Sequence, residues 1–486
     1  MRVASPNEQR VISREYHNFY NSVVVGAIYE FPDPDFDVGS SRSFHGALRL
    51  CISKYPTLTH VVREQQSDAA YFELVQTINL EDHIHIVGEG EAIPQLHKDD
   101  GDHGTRKIEE LLPSLLNDPW PSSIPPWKIT ILSLETSGRD DGEKIRCFIA
   151  FSFSHALGDG MGAYSFHRTF RDGLTENIGK EDCIVLATPI ADFPAPFDTP
   201  KTLPISWGFL LRPLIAVLLP SFLAEFLGLR PNTSNVHSGT WNGSRMFRDP
   251  GPHRTSLRLV KIEASTAKAL LQVARKNGAK LTATMNQSIS RALSKALSPS
   301  SATNFVSGTA VNMRRAVGKA NEEMGFFVNA CYHSHDRQNW AELWTDETWA
   351  VARSLTEKLA ETAVTLSDQP TGLLRYVPSI NKWTLSKIGQ ERDTSFDVSN
   401  IGAFDPGVSR ASSGNQCGIT DMIFTHSAGV TSGPLTISAA SAKGSSLMIV
   451  IAWQPGALGI PREIEAAFVD DLSAFVKEDL ESVARM

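Results

Sequence analysis

"SHALGDGMGAY", residues 154–164, places a histidine four residues before an Asp-Gly pair. The stretch follows "IRCFIAFSFS" (145–154), whose β-branched and aromatic residues predict a strand that ends in alternating Phe and Ser. The run "MGAYSFHRTFRDGL" after Gly160 can begin a helix. We therefore predict that His155 lies at the end of a strand, where a rigid element can hold a polar side chain against a ligand.

The histidine and the aspartate of this stretch suit acid–base chemistry. An imidazole with an ordinary pKa of about 6.5 accepts a proton at neutral pH, so His155 is a candidate general base. Asp159 could orient the turn or tie it to another part of the chain. A buried carboxylate there would need a cationic partner such as Arg314, because an unpaired buried charge is costly.

The glycines of the same stretch suit a different chemistry. Gly158, Gly160 and Ala163 match the G-x-G-x-x-A fingerprint of a dinucleotide-binding loop between a strand and a helix. Three features weigh against a dinucleotide: Asp159 would repel a pyrophosphate, the preceding strand is not continuously apolar, and the motif is not in the first βαβ unit. We therefore favour the general base and keep a nicotinamide-dependent oxidoreductase as an alternative.

Composition predicts a globular protein with two lobes and without a nucleic-acid partner. The chain has 486 residues, of which 41% are hydrophobic and 21% charged, and its formal net charge is −8. This length exceeds one ordinary domain of about 100–200 residues. Nucleic acids require a basic surface, which the acidic balance does not favour, although one phosphorylated co-substrate could still bind at a local basic pocket.

The N-terminus and the cysteines predict a cytoplasmic protein. "MRVASPNEQR" lacks the apolar core of a secretory signal, and five scattered cysteines form neither a disulfide framework nor a Cys-x-x-Cys metal site. His83 and His85 would share one face of a strand, but no third ligand stands at a recognisable spacing. We expect them to be exposed strand residues and predict no metal site.

Irregular stretches predict how the chain is divided. "TPIADFPAPFDTPKTLP" (188–204) contains five prolines and no periodic pattern, as inter-lobe linkers often do. We predict an N-terminal lobe over 1–187, a linker with a hydrophobic insertion over 188–254, and a C-terminal lobe over 255–486. Both lobes mix predicted helices and strands, so the fold class is α/β or α+β, with the site between the lobes.

The insertion contains an apolar segment, 207–229. Its uncharged run is shorter than the roughly 20 residues that cross a bilayer and includes two prolines. We expect a buried helix pair or a lid over an apolar substrate, with a peripheral membrane contact as the alternative.

The C-terminal lobe carries clear helix patterns. Residues 265–297 predict two helices broken at Asn277-Gly278, the second starting at a threonine cap, Thr282 or Thr284. The strand "SSLMIVIAW" precedes a last amphipathic helix. The residues expected to share its apolar face are Ile464, Phe468, Leu472, Phe475 and Val483.

Six segments, found in a consistent order over most of the chain, carry a family resemblance. They are "YPTLTHVV" (55–62), "PPWKITIL" (125–132), "SHALGDG" (154–160), "VNMRR" (311–315), "DVSNIGAF" (397–404) and "IAWQPG" (451–456). Together they resemble the fungal and yeast alcohol O-acetyltransferases, within the chloramphenicol-acetyltransferase-like superfamily of plant BAHD acyltransferases and peptide condensation domains. His-x-x-x-Asp-Gly is the superfamily signature. The plant D-F-G-W-G string is missing, which places the chain nearer the fungal branch.

The resemblance implies a fold and a base. It implies two lobes, each a mixed β-sheet with flanking helices, and a channel between them where acetyl-CoA and the acceptor meet. His155 would be the general base, followed by Asp159 and Gly160 of the motif. Asp159 would be structural, paired with Arg314 or Arg315.

The resemblance also implies residues around the substrates. Ser399, Asn400 and Gly402 match a segment that lines the channel. They could hold the tetrahedral oxyanion, or they could simply form a tight turn. The phosphates of CoA require cations at one mouth of the channel, and the candidates flank the Asn-Gly break: Arg275, Lys276 and Lys280.

We therefore predict a monomeric acyltransferase without a permanent cofactor. It would move an acetyl or short acyl group from acetyl-CoA to the hydroxyl of an apolar alcohol or secondary metabolite, directly and without a covalent enzyme intermediate. An amine acceptor or a carrier-protein thioester donor would suit the same fold. A non-catalytic binding protein of this fold is a further alternative.

Overall fold

The structure is a computed structural model that describes residues 1–88, 103–137, 144–175, 183–218, 236–407 and 417–486. Its helices are α1 (Pro6–Tyr16), α2 (Arg42–Lys54), α3 (His103–Asn117), α4 (Gly160–Thr175), α5 (Trp207–Leu218), α6 (Ala264–Lys276), α7 (Leu281–Ala296), α8 (Asp346–Thr362), α9 (Ile380–Ser386) and α10 (Arg462–Ala484). Short 3₁₀ turns occupy Pro56–Thr59, Leu80–His83 and Pro370–Tyr376.

The strands follow the same chain order. They are β1 (Arg2–Val3), β2 (Val23–Phe31), β3 (His60–Arg63), β4 (Tyr71–Leu74), β5 (Thr77–Asn79), β6 (Ile84–Ile86), β7 (Trp127–Ser137), β8 (Lys144–Phe153), β9 (Val185–Ala187), β10 (Ser256–Ile262), β11 (Asn304–Asn312), β12 (Val328–Asp336), β13 (Phe396–Phe404), β14 (Gly418–His426), β15 (Leu435–Ala442) and β16 (Leu447–Trp453).

Two mixed sheets form the two lobes, as the resemblance implied. The first sheet has the order β14-β2-β8-β7-β6, antiparallel except for the parallel pair β6–β7. The second has the order β10-β16-β15-β13-β11-β12, with β13 parallel to both β11 and β15. Smaller sheets pair β1, β4 and β3, and β5 with β9.

Three of the four apolar clusters in the described residues hold these layers together. One face of the first sheet packs on α2 and α4, where Phe151 and Phe166 stack at 3.8 Å between ring centroids. One face of the second sheet packs on α6, α7, α8 and α10. The third cluster joins the sheets themselves, since Phe148 of β8 shares it with Val450 of β16 and with residues of α3.

One strand crosses the predicted boundary between the N-terminal and C-terminal lobes. Strand β14 belongs by sequence to the C-terminal region, yet it pairs antiparallel with β2 along the edge of the first sheet. Its last residue, His426, pairs with Val23. The C-terminal region therefore contributes one strand to the first sheet, which residue composition along the chain does not signal.

The predicted helix break is present, but the predicted threonine cap is wrong. Helix α6 ends at Lys276, and Gly278 adopts φ +73°, a conformation open to glycine. Helix α7 begins at Leu281 with Lys280 as its N-cap and no side-chain cap bond. The reason is that the Lys280 amide donates to Thr356 Oγ1 of α8 at 3.0 Å, which fixes the start from outside the helix.

The predicted apolar face of the last helix is displaced. Ile464 is 49% exposed, and Phe468 and Phe475 lie at the margin of the cluster. The fully buried stripe is Val469, Leu472, Val476, Leu480 and Val483. Leu472 and Val483 are buried as predicted, and the stripe is turned toward α6, α7 and β10, against which the helix packs.

The apolar segment 207–229 does not form a buried helix pair where it is described. Trp207, Leu211 and Ile215 of α5 are 76%, 41% and 42% exposed. Residues 219–229 lie outside the described residues. Across the described ranges, no helix combines the length and the apolarity needed to cross a bilayer.

His83 is not an exposed strand residue. It ends a 3₁₀ turn, is buried, and stacks on Trp127 with 4.0 Å between ring centroids. Its Nδ1 donates to the Trp127 carbonyl at 2.7 Å. His85 follows in β6. The aromatic partner comes from β7, far along the chain, so local spacing could not reveal it.

Candidate active site

His155 stands directly after β8, as predicted, and one of its ring nitrogens is fixed. Nδ1 lies 2.7 Å from the Gly158 carbonyl oxygen. A carbonyl can only accept, so Nδ1 carries the hydrogen and Nε2 is left as the basic nitrogen. Burial lowers the pKa of the imidazole to about 4, against a smaller opposite effect of the Gly158 carbonyl. The ring is therefore neutral at physiological pH.

Aromatic rings fix the plane of this imidazole. Tyr20 stacks on it with 5.7 Å between centroids and an angle of 27°, and Phe326 lies at 4.6 Å. Tyr20 comes from the first lobe, whereas Phe326 follows β11 of the second. His155 lines a cavity of about 190 Å³ together with Gly160 and Arg314. It is thus held between the lobes and open to a ligand-sized space.

Both carboxylate oxygens of Asp159 accept structural hydrogen bonds. Its Oδ1 accepts from the amides of Met161 and Gly162, both at 3.1 Å, and so caps α4. Its Oδ2 accepts from the Phe327 amide at 3.0 Å. Arg314 donates to both oxygens, Nη1 to Oδ2 at 2.8 Å and Nη2 to Oδ1 at 2.9 Å, with both side chains buried. Asp159 thereby connects the lobes beside His155.

Between the two predicted partners of Asp159, the structure selects one. Arg315 is exposed. Arg314 is fully buried and also donates to the carbonyls of Glu323 and Gly325, at 3.0 and 3.1 Å from Nη2. Its charge is therefore compensated by one carboxylate and by fixed carbonyl dipoles.

A carboxyl group that sequence reasoning missed lies behind the histidine. Glu15 of α1 accepts a hydrogen bond from the Ser154 hydroxyl, one residue before His155. Burial raises the pKa of Glu15 to about 8, and the Ser154 hydrogen bond opposes this only in part. The side chain is therefore mostly protonated at neutral pH. No local pattern marks it, because Glu15 is brought to β8 by the packing of α1.

A second histidine was also missed. His426, the last residue of β14, packs against Tyr20, with 5.5 Å between the two ring centroids. Burial lowers its pKa to about 4, and proximity to His155 acts in the same direction. It enters the site because β14 crosses to the first sheet, so nothing close in sequence to His155 predicts it.

The Ser-Asn-x-Gly segment forms a bulge at the edge of the smaller cavity. The register of β13 against β15 shifts between Asn400 and Ala403. Asn400 Oδ1 accepts from the Gly402 amide at 2.8 Å, and its Nδ2 donates to Thr282 Oγ1 at 3.1 Å. Gly402 adopts φ +77° and is exposed. Both polar atoms of the Asn400 side chain are therefore engaged in the bulge. Ser399, which lines both cavities, is the better placed hydrogen-bond donor to a substrate.

A larger cavity of about 450 Å³ continues from the smaller one. The two share the following lining residues: Arg10, Arg14, Ala310, Val328, Ser399, His426 and Ser432. The larger part extends between β11, β12 and the 3₁₀ turn Pro370–Tyr376. His155 therefore stands near one end of a channel between the lobes.

The three predicted CoA-binding cations are exposed and line neither cavity. Arg275 and Lys276 lie in the last turn of α6. Lys280 precedes Thr282, the partner of Asn400, and so stands nearer the bulge. A role at the mouth of the channel stays a prediction for all three.

The dinucleotide alternative lacks its structural context. A Rossmann strand is parallel to its neighbours, whereas β8 runs antiparallel to both β2 and β7. Asp159 lies in the turn with its charge neutralised by Arg314, and it occupies the amides of α4 that a pyrophosphate would need.

Sequence comparison supplies the family context. A family model described as alcohol acetyltransferase matches residues 8–457. A curated relative, the probable alcohol acetyltransferase FCK4 of Fusarium pseudograminearum, is 22% identical over 391 residues, which cover 77% of this chain and 74% of that protein.

Solved structures share the fold. The TRI3 trichothecene 15-O-acetyltransferase of Fusarium sporotrichioides superposes with a TM-score of 0.64 at 13% identity, over 100% of this chain and 95% of that one. F. sporotrichioides TRI101, solved with coenzyme A and T-2, has a TM-score of 0.50 at 13% identity, over 95% and 97% of the two chains. At these identities the likeness concerns the fold.

Proposed function

Because this chain belongs to the alcohol acetyltransferase family and is an acyltransferase, we propose that it transfers an acetyl or short acyl group from acyl-CoA to the hydroxyl of a small-molecule alcohol, with His155 as the general base. The observation that carries this proposal is the geometry of one ring. Its Nδ1 is bonded to Gly158, which leaves a neutral Nε2 in a cavity between the lobes.

The proposed reaction needs one proton carrier. His155 Nε2 takes the proton of the acceptor hydroxyl as its oxygen attacks the thioester carbonyl carbon. The tetrahedral intermediate collapses by cleavage of the carbon–sulfur bond, and the imidazolium returns the proton to the departing CoA thiolate. The products are the ester and CoA. A thioester is already activated, so positioned reactants and a base suffice without a covalent enzyme intermediate.

The surroundings of His155 suit a charge that appears only during the reaction. Burial keeps the resting ring neutral and able to accept a proton. The Gly158 carbonyl and the Asp159 carboxylate both favour the protonated ring, so they would stabilise the imidazolium as it forms. Asp159 acts here as a positioning residue, because its oxygens are bonded to Arg314 and to backbone amides.

Ser399 is the proposed donor to the oxyanion. Its side chain lines both parts of the channel, whereas the Asn400 amide is bonded within the bulge. A hydroxyl placed there can donate to the oxygen that becomes negative in the tetrahedral intermediate.

Acetyl-CoA is the proposed donor substrate. TRI101, a structural neighbour, is solved with coenzyme A, and Lys280 stands next to the bulge on the outer surface. The charge of Lys280 suits a CoA phosphate if the channel opens beside the bulge. The alcohol acetyltransferase description favours a hydroxyl acceptor. An amine acceptor, a carrier-protein donor and CoA binding without turnover are therefore treated as outcomes of the test.

The test replaces the base and measures thiol release from acetyl-CoA with panels of alcohols and amines. We expect His155→Ala to lower turnover by about 10²–10⁴-fold, the usual contribution of a general base. His333→Ala is the matched control, since His333 is also a half-buried imidazole of lowered pKa but lines neither cavity. Turnover of His155→Ala within a few-fold of the unmodified enzyme would refute the base, and turnover with amines alone would refute the hydroxyl acceptor.

A further inference from the structure

Two arginines of α1 face the channel, and no carboxylate of the described residues is in contact with them. Arg10 and Arg14 are four residues apart, so their side chains share one face of the helix, and both line each cavity. Their hydrogen-bond acceptors are neutral. Arg10 Nε and Nη2 donate to Asn7 Oδ1 at 3.2 and 3.1 Å, and Arg14 Nη2 donates to Ser432 Oγ at 2.7 Å. Within the described part of the chain, Arg14 Nε is buried and has no acceptor.

Burial makes these two charges unfavourable as they stand. It lowers the pKa of Arg10 to about 10 and also lowers the pKa of Arg14. Arg14 adds a repulsive contribution at Arg10. A desolvated cation is costly unless an anion and hydrogen-bond acceptors replace the water it has lost. The energetics therefore favour an anionic group between the two side chains.

The carboxylates that line the larger cavity are engaged elsewhere. Asp397 accepts from the Gly433 amide at 2.8 Å and from Thr394 Oγ1 at 2.9 Å. Asp393 is paired with Lys387 Nζ at 3.3 Å. Asp397 attracts Arg14 and Asp198, which lines neither cavity, attracts Arg10 through space, but within the described residues neither carboxylate is hydrogen-bonded to these arginines. The channel thus keeps an excess of positive charge.

The position of these positive charges indicates which of the two substrates, the acceptor or acyl-CoA, would carry the anionic group. The Tyr20 ring centroid is 5.7 Å from that of His155 and 4.9 Å from the guanidinium carbon of Arg14, so only one aromatic ring separates the cation from the base. The phosphates of CoA are separated from the thioester sulfur by the whole pantetheine arm. With the thioester at His155, they would lie well beyond Arg14.

We propose that Arg10 and Arg14 bind a carboxylate of the acceptor, so that the alcohol acetylated by this protein is a hydroxy acid. The inference rests on the proposed acyl transfer at His155 and adds the chemical class of the acceptor. A guanidinium presents paired donors that match both oxygens of a carboxylate. This acceptor differs from the apolar alcohol expected from 207–229, whose described side chains line neither cavity.

The test uses a series of hydroxy acids of increasing chain length, starting from hydroxymethylbenzoic acid, each beside its own methyl ester. Transfer from acetyl-CoA gives kcat/KM, and calorimetry gives binding in the absence of CoA. We expect at least one acid to exceed its ester about tenfold or more. Arg14→Gln and Arg10→Gln should each remove about tenfold to a hundredfold from that acid and weaken the ester much less, because only the acid loses hydrogen bonds to a charged group, which are strong.

Control variants keep the result interpretable. Arg14→Lys retains the charge but not the paired donors, so it should fall between Arg14→Gln and the unmodified protein. Arg245→Gln removes a cation from an exposed ion pair with Glu391 and should change neither substrate. Unaltered melting temperatures would separate loss of recognition from loss of folding.

The outcomes separate the two proposals. If no acid reacts or binds better than its ester, or if the arginine variants weaken acid and ester equally, the hydroxy-acid inference is overturned. It is also overturned if these variants raise the KM for acetyl-CoA alone, which would assign the arginines to CoA. Esters acetylated with dependence on His155 would leave the proposed function standing. Acids that bind through Arg14 but are never acetylated would support an anion site and overturn the hydroxy acid as the acetylated acceptor.

Discussion

Arg314 binds Asp159 with two parallel hydrogen bonds, Nη1 to Oδ2 at 2.8 Å and Nη2 to Oδ1 at 2.9 Å, and neither side chain is open to solvent. The pair joins the residue before α4 to the segment after β11, and so fixes one lobe against the other. Because Asp159 also caps α4, the start of that helix and the position of His155 depend on the same carboxylate.

Loss of this carboxylate should therefore destabilise the fold. We expect Asp159→Ala to lower the free energy of unfolding by about 3–5 kcal/mol, because it leaves the buried Arg314 charge uncompensated. The double variant Asp159→Ala with Arg314→Met should recover part of the loss. Glu391→Ala, which breaks an exposed pair, is the control and should leave the melting temperature nearly unchanged. Soluble, fully active Asp159→Ala of unaltered melting temperature would contradict the structural role.

The pH dependence of turnover should report the lowered pKa of His155. The pKa of His155 is lowered from 6.5 to about 4, so the ring stays neutral as pH falls past 6.5 and is protonated only near 4. We expect kcat/KM to decline at an apparent pKa well below 6.5. An acid limb centred near 6.5 would mean that the pKa of His155 is not lowered by desolvation.

The same shift affects stability, and its sign follows from proton counting. Between pH 6.5 and about 4 the unfolded chain holds a proton on this imidazole that the folded chain does not. Stability is therefore complete above that window and declines as pH falls through it. Initial rates must accordingly be taken before the protein unfolds, with circular dichroism recorded at each pH.

Glu15 should give the opposite trend at higher pH. Its pKa is raised from 4.5 to about 8, so the folded state holds a proton that the unfolded state releases in this window. Stability contributed by the protonated form is lost as pH rises, with a slope of at most about 1.4 kcal/mol per pH unit. Glu15→Gln should flatten the curve of unfolding free energy against pH between 5 and 8. Glu110→Gln, an exposed residue of α3, should not, and an unchanged slope in Glu15→Gln would contradict the burial of this carboxyl.

Two glycines of α4 allow a matched test of the channel wall. A Cβ at Gly160 would stand 2.6 Å from Ile401 Cγ2 and 3.3 Å from Phe424 Cε2, whereas one at Gly162 would meet only ordinary contacts, the nearest at 3.5 Å. We expect Gly160→Ala to cost about 1–3 kcal/mol and to lower activity, because the wall must shift. Gly162→Ala should be neutral or slightly stabilising, since alanine favours the helix. Equal melting temperatures and equal turnover of the two variants would show that Ile401 and Phe424 can shift to accept a Cβ at Gly160 without cost.

Ser399 and Asn400 should separate catalysis from structure. If the Ser399 hydroxyl donates to the oxyanion, Ser399→Ala lowers kcat by about 10²–10³-fold with little change in KM or melting temperature. Asn400→Ala removes both bonds that close the bulge, so it should lower the melting temperature first. A kcat of Ser399→Ala within a few-fold of the unmodified enzyme would assign the oxyanion to other donors.

The parts of the site that could be predicted are those encoded within a few residues. A strand that ends in Phe-Ser pairs, a turn with glycines and a helix start placed His155 at a strand end. The cost of burying Asp159 called for a cation, and Arg314 supplies it. The break at Gly278 followed from glycine's access to positive φ.

The parts that could not be predicted depend on packing between distant segments. Glu15, His426 and the two arginines of α1 reach the channel because α1 and β14 pack there, and no spacing near His155 records this. Likewise, the buried face of α10 is set by α6, α7 and β10. Periodicity gives a helix an apolar side, but the neighbours decide its exact angle.

Strand β14 has a consequence for synthesis of the protein. The other strands of the first sheet are complete by residue 153, whereas β14 spans Gly418–His426. On the ribosome, β2 would therefore wait as an open sheet edge until most of the polypeptide has emerged, and such edges invite association between chains. Products of premature termination before β14 should accordingly aggregate, and the nascent enzyme would depend on holdase chaperones until Gly418–His426 is translated.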